Sequence, residues 1–552
     1  MRAQPKDSKA NRTKSNPREG GTEADSAHLE FPELMKQAGT PGPELFIGLI
    51  GAVGTNTRLV TSCLEGALAR VNYRMQEVHA IEQLSKFEGW GPKANPVPVD
   101  EYYNALSAAG NEFRATVEAR DVMALLAMTA IREKRLACDG SIDAPSTRTA
   151  YVIRSLKTPT EVNTLREVYG KSFIALAAYA PKDARRHFLR ERIAESHQND
   201  PVAINVDELT STLLGREETG RENSYGQQLE ATFPLADFFV EVGASIEALQ
   251  KSIRRIVELA FGNFTHAPTR DEYGMFHAVS AGVRSASLAR QVGASICTAE
   301  GELIALGCND VPKAGGGLYW EGDEGDSRDH LRGYDSNDVM KQFFLRDVLT
   351  RLQKSGWLKG ELEKLDERDL FEQAMSPNSL IRQAELMKII EYGRSVHAEM
   401  SALMDAAKRG IAVEGCTLYS TTFPCHNCAK HIVASGIKRV VYVEPYPKSF
   451  THRLYSDSVW VDGAGEAGKV IKFEPFVGIS FRQYFSLFSM GGIERKINGT
   501  LTQWIGETAS PRYYEHHSAY LAREAEVLKR FEGQLRRAGL QPQEEGFWGL
   551  LA

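Results

Sequence analysis

Cysteine is scarce in this chain. Its 552 residues hold seven: Cys63, Cys138, Cys297, Cys308, Cys416, Cys425 and Cys428. An odd, low count excludes a secreted disulfide framework and fits a reducing compartment, the cytoplasm. Long hydrophobic runs are also missing. No apolar stretch approaches the ~18 residues of a membrane span, so no membrane partner is expected. No apolar core follows the basic residues near the N-terminus, so no secretory signal is expected. A positive charge excess is absent too: 66 Lys and Arg face 72 Asp and Glu, for a formal net charge of -6. Proteins that grip long nucleic acids usually present a basic face, so the balance counts against that class. It does not count against a small nucleotide, for which a few local cations suffice.

What is present is ordinary globular composition, 42% hydrophobic and 25% charged, in a chain long enough for about two to four domains. Residues 1–42 are polar, with Arg2, Lys6, Lys9, Arg12, Lys14 and Arg18 near the start, and are expected to form a disordered basic tail. From residue 45 the pattern alternates. Strands are predicted at 45–50, 150–154, 172–179 and 236–241. Helices are predicted at 59–71, 120–134, 161–169, 183–195 and 244–261. Such alternation implies a parallel α/β sheet covered on both faces, placed at 43–262. A second α/β unit is expected over 270–485. Its helices are predicted at 273–290, 337–355, 377–393, 396–409 and 425–435. Its strands are predicted at 292–297, 303–308, 416–421 and 439–443, the first two forming a hairpin. Residues 486–552 read as a C-terminal helical extension, with one helix at 511–537.

Chemistry concentrates in the second unit. His397-Ala-Glu399 opens one predicted helix and Pro424-Cys425-x-x-Cys428 opens another. A Cys-x-x-Cys pair at a helix start turns both sulfurs to one side, where unsatisfied N–H groups favour thiolates. Two thiolates and one imidazole make three zinc ligands and leave the fourth position open, the arrangement of a catalytic site. Glu399 is too near His397 along the chain to be a convenient ligand and well placed to carry a proton. A purely structural zinc clip would need a fourth ligand, for which Cys416 and His426 are the candidates. His-x-Glu followed by Pro-Cys-x-x-Cys is the signature of zinc deaminases.

With these motifs, Arg290-Gln-Val-Gly-Ala, Gly307-Cys-Asn309-Asp-Val-Pro312, Thr421-Thr-Phe-Pro and Val440-Val-Tyr, residues 273–450 resemble the deoxycytidylate deaminase branch of the cytidine deaminase superfamily. The resemblance implies a three-layer α/β/α deaminase domain and a hydrolase of the C–N bond of a cyclic amidine. It implies one Zn²⁺ on His397, Cys425 and Cys428, with Glu399 as the catalytic proton carrier. Asn309 would bind the sugar. A nucleotide-binding-like domain fused ahead of such a deaminase resembles the bacterial anti-phage dCTP deaminases. That resemblance alone implies conversion of dCTP or dCMP to deoxyuridine nucleotides as antiviral defence. A deaminase of cytosine in RNA or DNA and a housekeeping dCMP deaminase stay open beside it.

Phosphates need cations, and Tyr446-Pro-Lys448-Ser449 follows the last core strand, where open α/β sheets bind ligands. Tyr446, Lys448 and Lys313 are the further substrate-binding candidates. The loop 321–338 holds His330 among seven carboxylates; it reads as a solvated loop, with a place for Mg²⁺ with a nucleoside triphosphate and a lid as the alternatives.

In the first domain, Gly48-Leu-Ile-Gly51-Ala-Val-Gly54-Thr55-Asn56-Thr57 resembles a phosphate-binding loop between strand and helix. Thr55 stands where the loop lysine is expected. With Arg185, Arg186, Arg190 and Arg192 on one later helix, the domain reads as P-loop NTPase-like and kinase-like, a regulatory nucleotide sensor sooner than an active kinase. The expected partners are free deoxycytidine nucleotides, a regulatory nucleotide, an inhibitory RNA or protein, and further copies of the chain in a homo-oligomer.

Overall fold

Strand β1 (Leu45–Gly51) is buried along its whole length, as the middle strand of a parallel sheet must be. Its residues divide by alternation. Phe46 and Ile50 enter the core on one face, and Leu45, Ile47 and Leu49 enter the core on the other. The chain continues through α1 (Thr57–Ala69), β2 (Arg74–Val78), α2 (Val99–Val117), α3 (Val122–Asp139), β3 (Thr149–Leu156) and α4 (Pro159–Tyr169). It goes on through β4 (Phe173–Tyr179), α5 (Lys182–Ser196), α6 (Val206–Thr219), β5 (Phe238–Glu241) and α7 (Ile246–Ala260). These five strands are parallel, in the order β5-β4-β1-β3-β2. The loop after β1 therefore leaves the middle of the sheet at its carboxyl edge.

This computed structural model describes residues 42–90, 98–197, 205–219, 226–377, 379–444, 449–461, 470–544 and 546–552. The basic tail lies outside them, Gly42 excepted. Gly42–Ala552 forms one compact unit. Among the described residues no helix is long and apolar enough to cross a membrane.

The second sheet follows α8 (Arg270–Val283), shorter than the helix predicted to Arg290. Its elements are β6 (Gly293–Cys297), β7 (Leu303–Cys308), α9 (Ser336–Lys354), α10 (Glu367–Ala374), α11 (Ala398–Lys408), β8 (Thr417–Ser420) and α12 (His426–Ala434). Then come β9 (Arg439–Tyr442), β10 (Val459–Val461) and β11 (Ile471–Pro475). The strand order is β10-β11-β9-β8-β6-β7. The hairpin β6–β7 is antiparallel, β8 runs antiparallel to β6, and β8, β9, β11 and β10 are parallel. Ala398, Ala402 and Ala406 of α11 and Cys428, Ala429 and Ile432 of α12 pack with Ala294, Ile296 and Val440 on one face. Met275 and Ala278 of α8 pack with Cys297, Tyr419 and Val441 on the other. The expected helix over 377–393 is not formed. Ala384, extended at φ -58 and ψ 150, separates two short 3₁₀ turns, Leu380–Gln383 and Glu385–Lys388.

Strand β12 (Gly478–Ile479) crosses from the second sheet and pairs antiparallel with β5 of the first. After α13 (Phe481–Phe488), helix α14 (His517–Arg537) buries Tyr520, Glu524, Leu528, Phe531 and Leu535 at helical spacing in the core of the first sheet. A charged network is sealed there. Arg135 bonds both Glu44 (3.0 Å) and Glu524 (2.9 Å), Arg132 bonds Glu524 (3.0 Å), and all four side chains are fully buried. The Tyr520 hydroxyl donates to Glu44 at 2.6 Å.

Candidate active site

Gly307 sets how closely α11 lies on its sheet. A Cβ there would stand 2.1 Å from the Ala398 carbonyl oxygen and 2.4 Å from the Ala402 nitrogen. Only glycine permits that approach, which seats the start of α11 against β7. His397 is the N-cap of α11 and Glu399 lies in its first turn. Cys425 is the N-cap of α12 and Cys428 lies in its first turn. Two helix N-termini, both favourable to negative charge, thus converge on one point.

His397 Nδ1 lies 3.2 Å from Cys425 Sγ and 3.4 Å from Cys428 Sγ. Cys428 Sγ lies 3.3 Å from Glu399 Oε2. The hydroxyl of Ser420, the last residue of β8, donates to Glu399 Oε1 at 3.2 Å. The bond to Cys425 holds the His397 imidazole above its ordinary pKa. The Cys425 thiol is held far below its ordinary value, first by the Cys428 bond and then by His397. Cys428 is pushed up by its bond to Cys425 and by burial. Burial, and next the Cys425 thiolate, raise the Glu399 carboxyl.

The donor set fits zinc. One imidazole nitrogen and two sulfurs lie within 4.8 Å of one another, and zinc bonds of about 2.0 Å to nitrogen and 2.3 Å to sulfur reach all three. Cys416 is buried in the core and His426 bonds Glu391 at 3.0 Å, so neither supplies a fourth ligand.

Asn309 is brought close to this centre. Its neighbour Asp310 accepts a hydrogen bond from Val396 N at 2.9 Å, one residue before His397. The Asn309 amide itself holds main chain, with Oδ1 accepting from Val292 N and Nδ2 donating to the Arg290 carbonyl, each at 2.7 Å. Lys313 is paired with Asp323 at 2.6 Å. Tyr446 and Lys448 lie outside the described residues. Buried Thr451 donates to the Pro424 carbonyl at 3.1 Å, next to the start of the cysteine helix. In the acidic loop, Asp326 pairs with Arg328 and Asp329 with Arg394. Among the described residues only the His397–Cys425–Cys428 group has metal-ligand spacing, so the Mg²⁺ expectation gains no support from that loop.

Ser420 and Asp310 were not singled out in the sequence. Ser420 carried only the weak signal of lying near the end of the predicted strand 416–421, ahead of Pro-Cys. Asp310 follows Asn309, and its burial beside Arg328, at 3.6 Å, depends on a loop distant in sequence.

In the first sheet, Gly51, Gly54, Thr55 and Thr57 line the pocket at the carboxyl edge. Gly48 is a packing residue inside β1; a Cβ there would meet Leu156 Cδ1 at 2.5 Å. Asn56 caps α1 by accepting from Leu59 N. Of the helix arginines, Arg185 donates to the Val53 carbonyl, Arg190 pairs with Asp207 and Arg192 donates to the Tyr103 hydroxyl.

Comparison with known proteins agrees with the zinc-type centre. Residues 268–444 match the family described as "Cytidine and deoxycytidylate deaminase zinc-binding region". The deoxycytidylate deaminase of Enterobacteria phage T2 is 50% identical over 54 residues, 10% of this chain and 29% of that protein. ComE operon protein 2 of Bacillus subtilis (strain 168) is 43% identical over 53 residues, 10% and 28% of the two chains. The human deoxycytidylate deaminase is 40% identical over 62 residues, 11% and 34%. The chain thus spans about a third or less of these relatives' length. The apo crystal structure of dCMP deaminase from cyanophage S-TIM5 is similar at 17% identity and a TM-score of 0.20, covering 38% of this chain and 100% of that one. Residues 268–444 are therefore similar to the zinc-binding region of the cytidine and deoxycytidylate deaminases.

Proposed function

We propose that the chain is a zinc-dependent hydrolytic deaminase of free deoxycytidine nucleotides, dCTP or dCMP. The observation that carries this reading is the convergence of His397, Cys425 and Cys428 with buried Glu399 directly against them. When bound, zinc lowers the pKa of water toward about 7 and so supplies a nucleophile at neutral pH. The protein's own groups do the rest. Glu399 takes a proton from the attacking water and gives it to ring N3. The water oxygen bonds to C4; the C4 hydroxyl so formed gives its proton to Glu399, which passes it to the exocyclic amine as that C4–N bond breaks, leaving a C4 carbonyl and ammonia. Ser420 keeps the Glu399 carboxylate turned to this task. Asn309, Lys313, Tyr446 and Lys448 are the candidates for sugar and phosphate.

The relatives named deoxycytidylate deaminase support a mononucleotide substrate over cytosine in a polynucleotide, and the net charge of -6 agrees. The first sheet and its loop are proposed as a regulatory nucleotide unit, and dCTP depletion during phage infection as the biological role. Infected cells expressing the chain should lose dCTP and gain deoxyuridine nucleotides, and cells with Glu399→Gln should not. An unchanged dCTP pool in the first case removes the defence role.

A further inference from the structure

A cavity of about 650 Å³, away from the His397 centre, opens at the carboxyl ends of β1 and β3. That size suits a small organic ligand. One wall is apolar and aromatic: Tyr102 and Tyr103 of α2, with Ile81 and Met123. Amide groups of Asn111 and Gln227 break that wall; Asn111 Oδ1 accepts from Arg114 and Gln227 Nε2 donates to Ser107, which leaves Asn111 Nδ2 and Gln227 Oε1 to meet the edge of a base. The cations Arg58 and Arg192 also line it. No carboxylate among the described residues pairs with either, whereas Arg154 is taken by Glu77 and Arg114 by Glu161.

Two buried polar atoms on lining residues lack partners among the described residues. Thr55, 7% exposed, leaves its hydroxyl unbonded, and Arg114, 4% exposed, leaves Nε unbonded. Buried polar atoms are rarely left so, and here both belong to the wall of one cavity.

The loop does not offer a polyphosphate cradle. Thr55 N already donates to the Ala52 carbonyl and Thr57 N to the Thr55 carbonyl. Lys157 Nζ donates to the Gly51 carbonyl at 2.6 Å. Gly54, at φ +85, lies under α5, where a Cβ would stand 2.8 Å from the Arg185 carbonyl. Successive inward N–H groups make an anion nest, and here at least two are spent internally. The charge left for a ligand sits on side chains.

We propose that this cavity binds a nucleoside 5′-monophosphate, with the base on the α2 wall and the single phosphate on Arg58 and Arg192. This deepens the regulatory reading of the first sheet and rests on it. The test is calorimetric titration of the full chain with adenine, guanine and uracil nucleoside monophosphates, dTMP and the matching triphosphates. One of the monophosphates should bind at one equivalent per chain. Arg192→Gln should weaken it about tenfold, the size of one charge-assisted hydrogen bond. Tyr102→Ala, at an exposed position, should weaken it too without lowering the melting temperature. Binding of triphosphates alone overturns the monophosphate assignment and leaves the regulatory reading standing. Binding of no nucleotide overturns both. Monophosphate binding undiminished in Arg58→Gln, Arg192→Gln and Tyr102→Ala places the ligand elsewhere and also overturns the proposal.

Discussion

Ser420, at the end of β8, donates its hydroxyl to Glu399 of α11 across 3.2 Å, so a strand residue sets the orientation of the proposed proton carrier. A hydrogen bond to a charged group contributes about 1.5–3 kcal/mol. Ser420→Ala should therefore lower kcat about 10- to 100-fold with KM little changed, since the bond orients a reacting group. Glu399→Gln should cost more, about 10²- to 10⁴-fold, while zinc stays bound. Steady-state kinetics and metal analysis check both; wild-type kcat in Ser420→Ala removes its positioning role.

Metal content should be one zinc per chain and should fall on acidification. Both thiols and the imidazole must be deprotonated to ligate, and protons compete as pH drops. Cys425→Ser and Cys428→Ser should each lose zinc under dialysis that leaves the wild type loaded. Full zinc in both variants would contradict the ligand set.

The zinc-free protein should show a pH-dependent penalty at Glu399. Burial raises its carboxyl in the folded state. A raised folded-state value contributes stability below the unfolded pKa, and that contribution is lost as pH rises through the folded one. At neutral pH the chelated wild type should thus melt below chelated Glu399→Gln, and the gap should close in acid. Equal melting temperatures at every pH would contradict this.

Gly307→Ala should displace the start of α11, because its Cβ would overlap the Ala398 carbonyl. Activity and zinc affinity should both drop by an order of magnitude or more. A fully active, zinc-loaded Gly307→Ala would show that α11 can shift without moving His397.

The buried network should be costly to break. Glu524→Ala removes the side-chain carboxylate from Arg132, leaving it the Leu550 and Ala552 oxygens, and leaves Arg135 with Glu44 alone. The loss should be about 3–5 kcal/mol, read from the denaturation midpoint. A shift below about 1 kcal/mol would contradict the network's closure of α14 on the first sheet.

The sequence made some of this legible and not the rest, for physical reasons. The zinc-type centre was legible because both motifs sit at helix starts close to their functional atoms. β1 was legible because a fully buried parallel strand is a continuous apolar run. Strand β2, Arg-Met-Gln-Glu-Val, is a half-exposed edge without such a run. Helix α2 was missed because Gly110 and several polar residues dilute its apolar face. The pairing of β12 with β5 could not be read at all, since it depends on contact between residues about 240 apart. Ser420 belonged to the same class: its role exists only once α11 lies against β8.

The central claim is that His397, Cys425, Cys428 and Glu399 deaminate a free deoxycytidine nucleotide. The direct measurement incubates zinc-loaded wild type and Glu399→Gln with dCMP, dCTP, CTP and cytosine-containing single-stranded DNA, and quantifies uracil product and ammonia. Wild type should yield stoichiometric dUMP or dUTP and ammonia from the free deoxynucleotides, and the variant almost none. No product from dCMP or dCTP, product from DNA alone, or equal turnover by Glu399→Gln would contradict it.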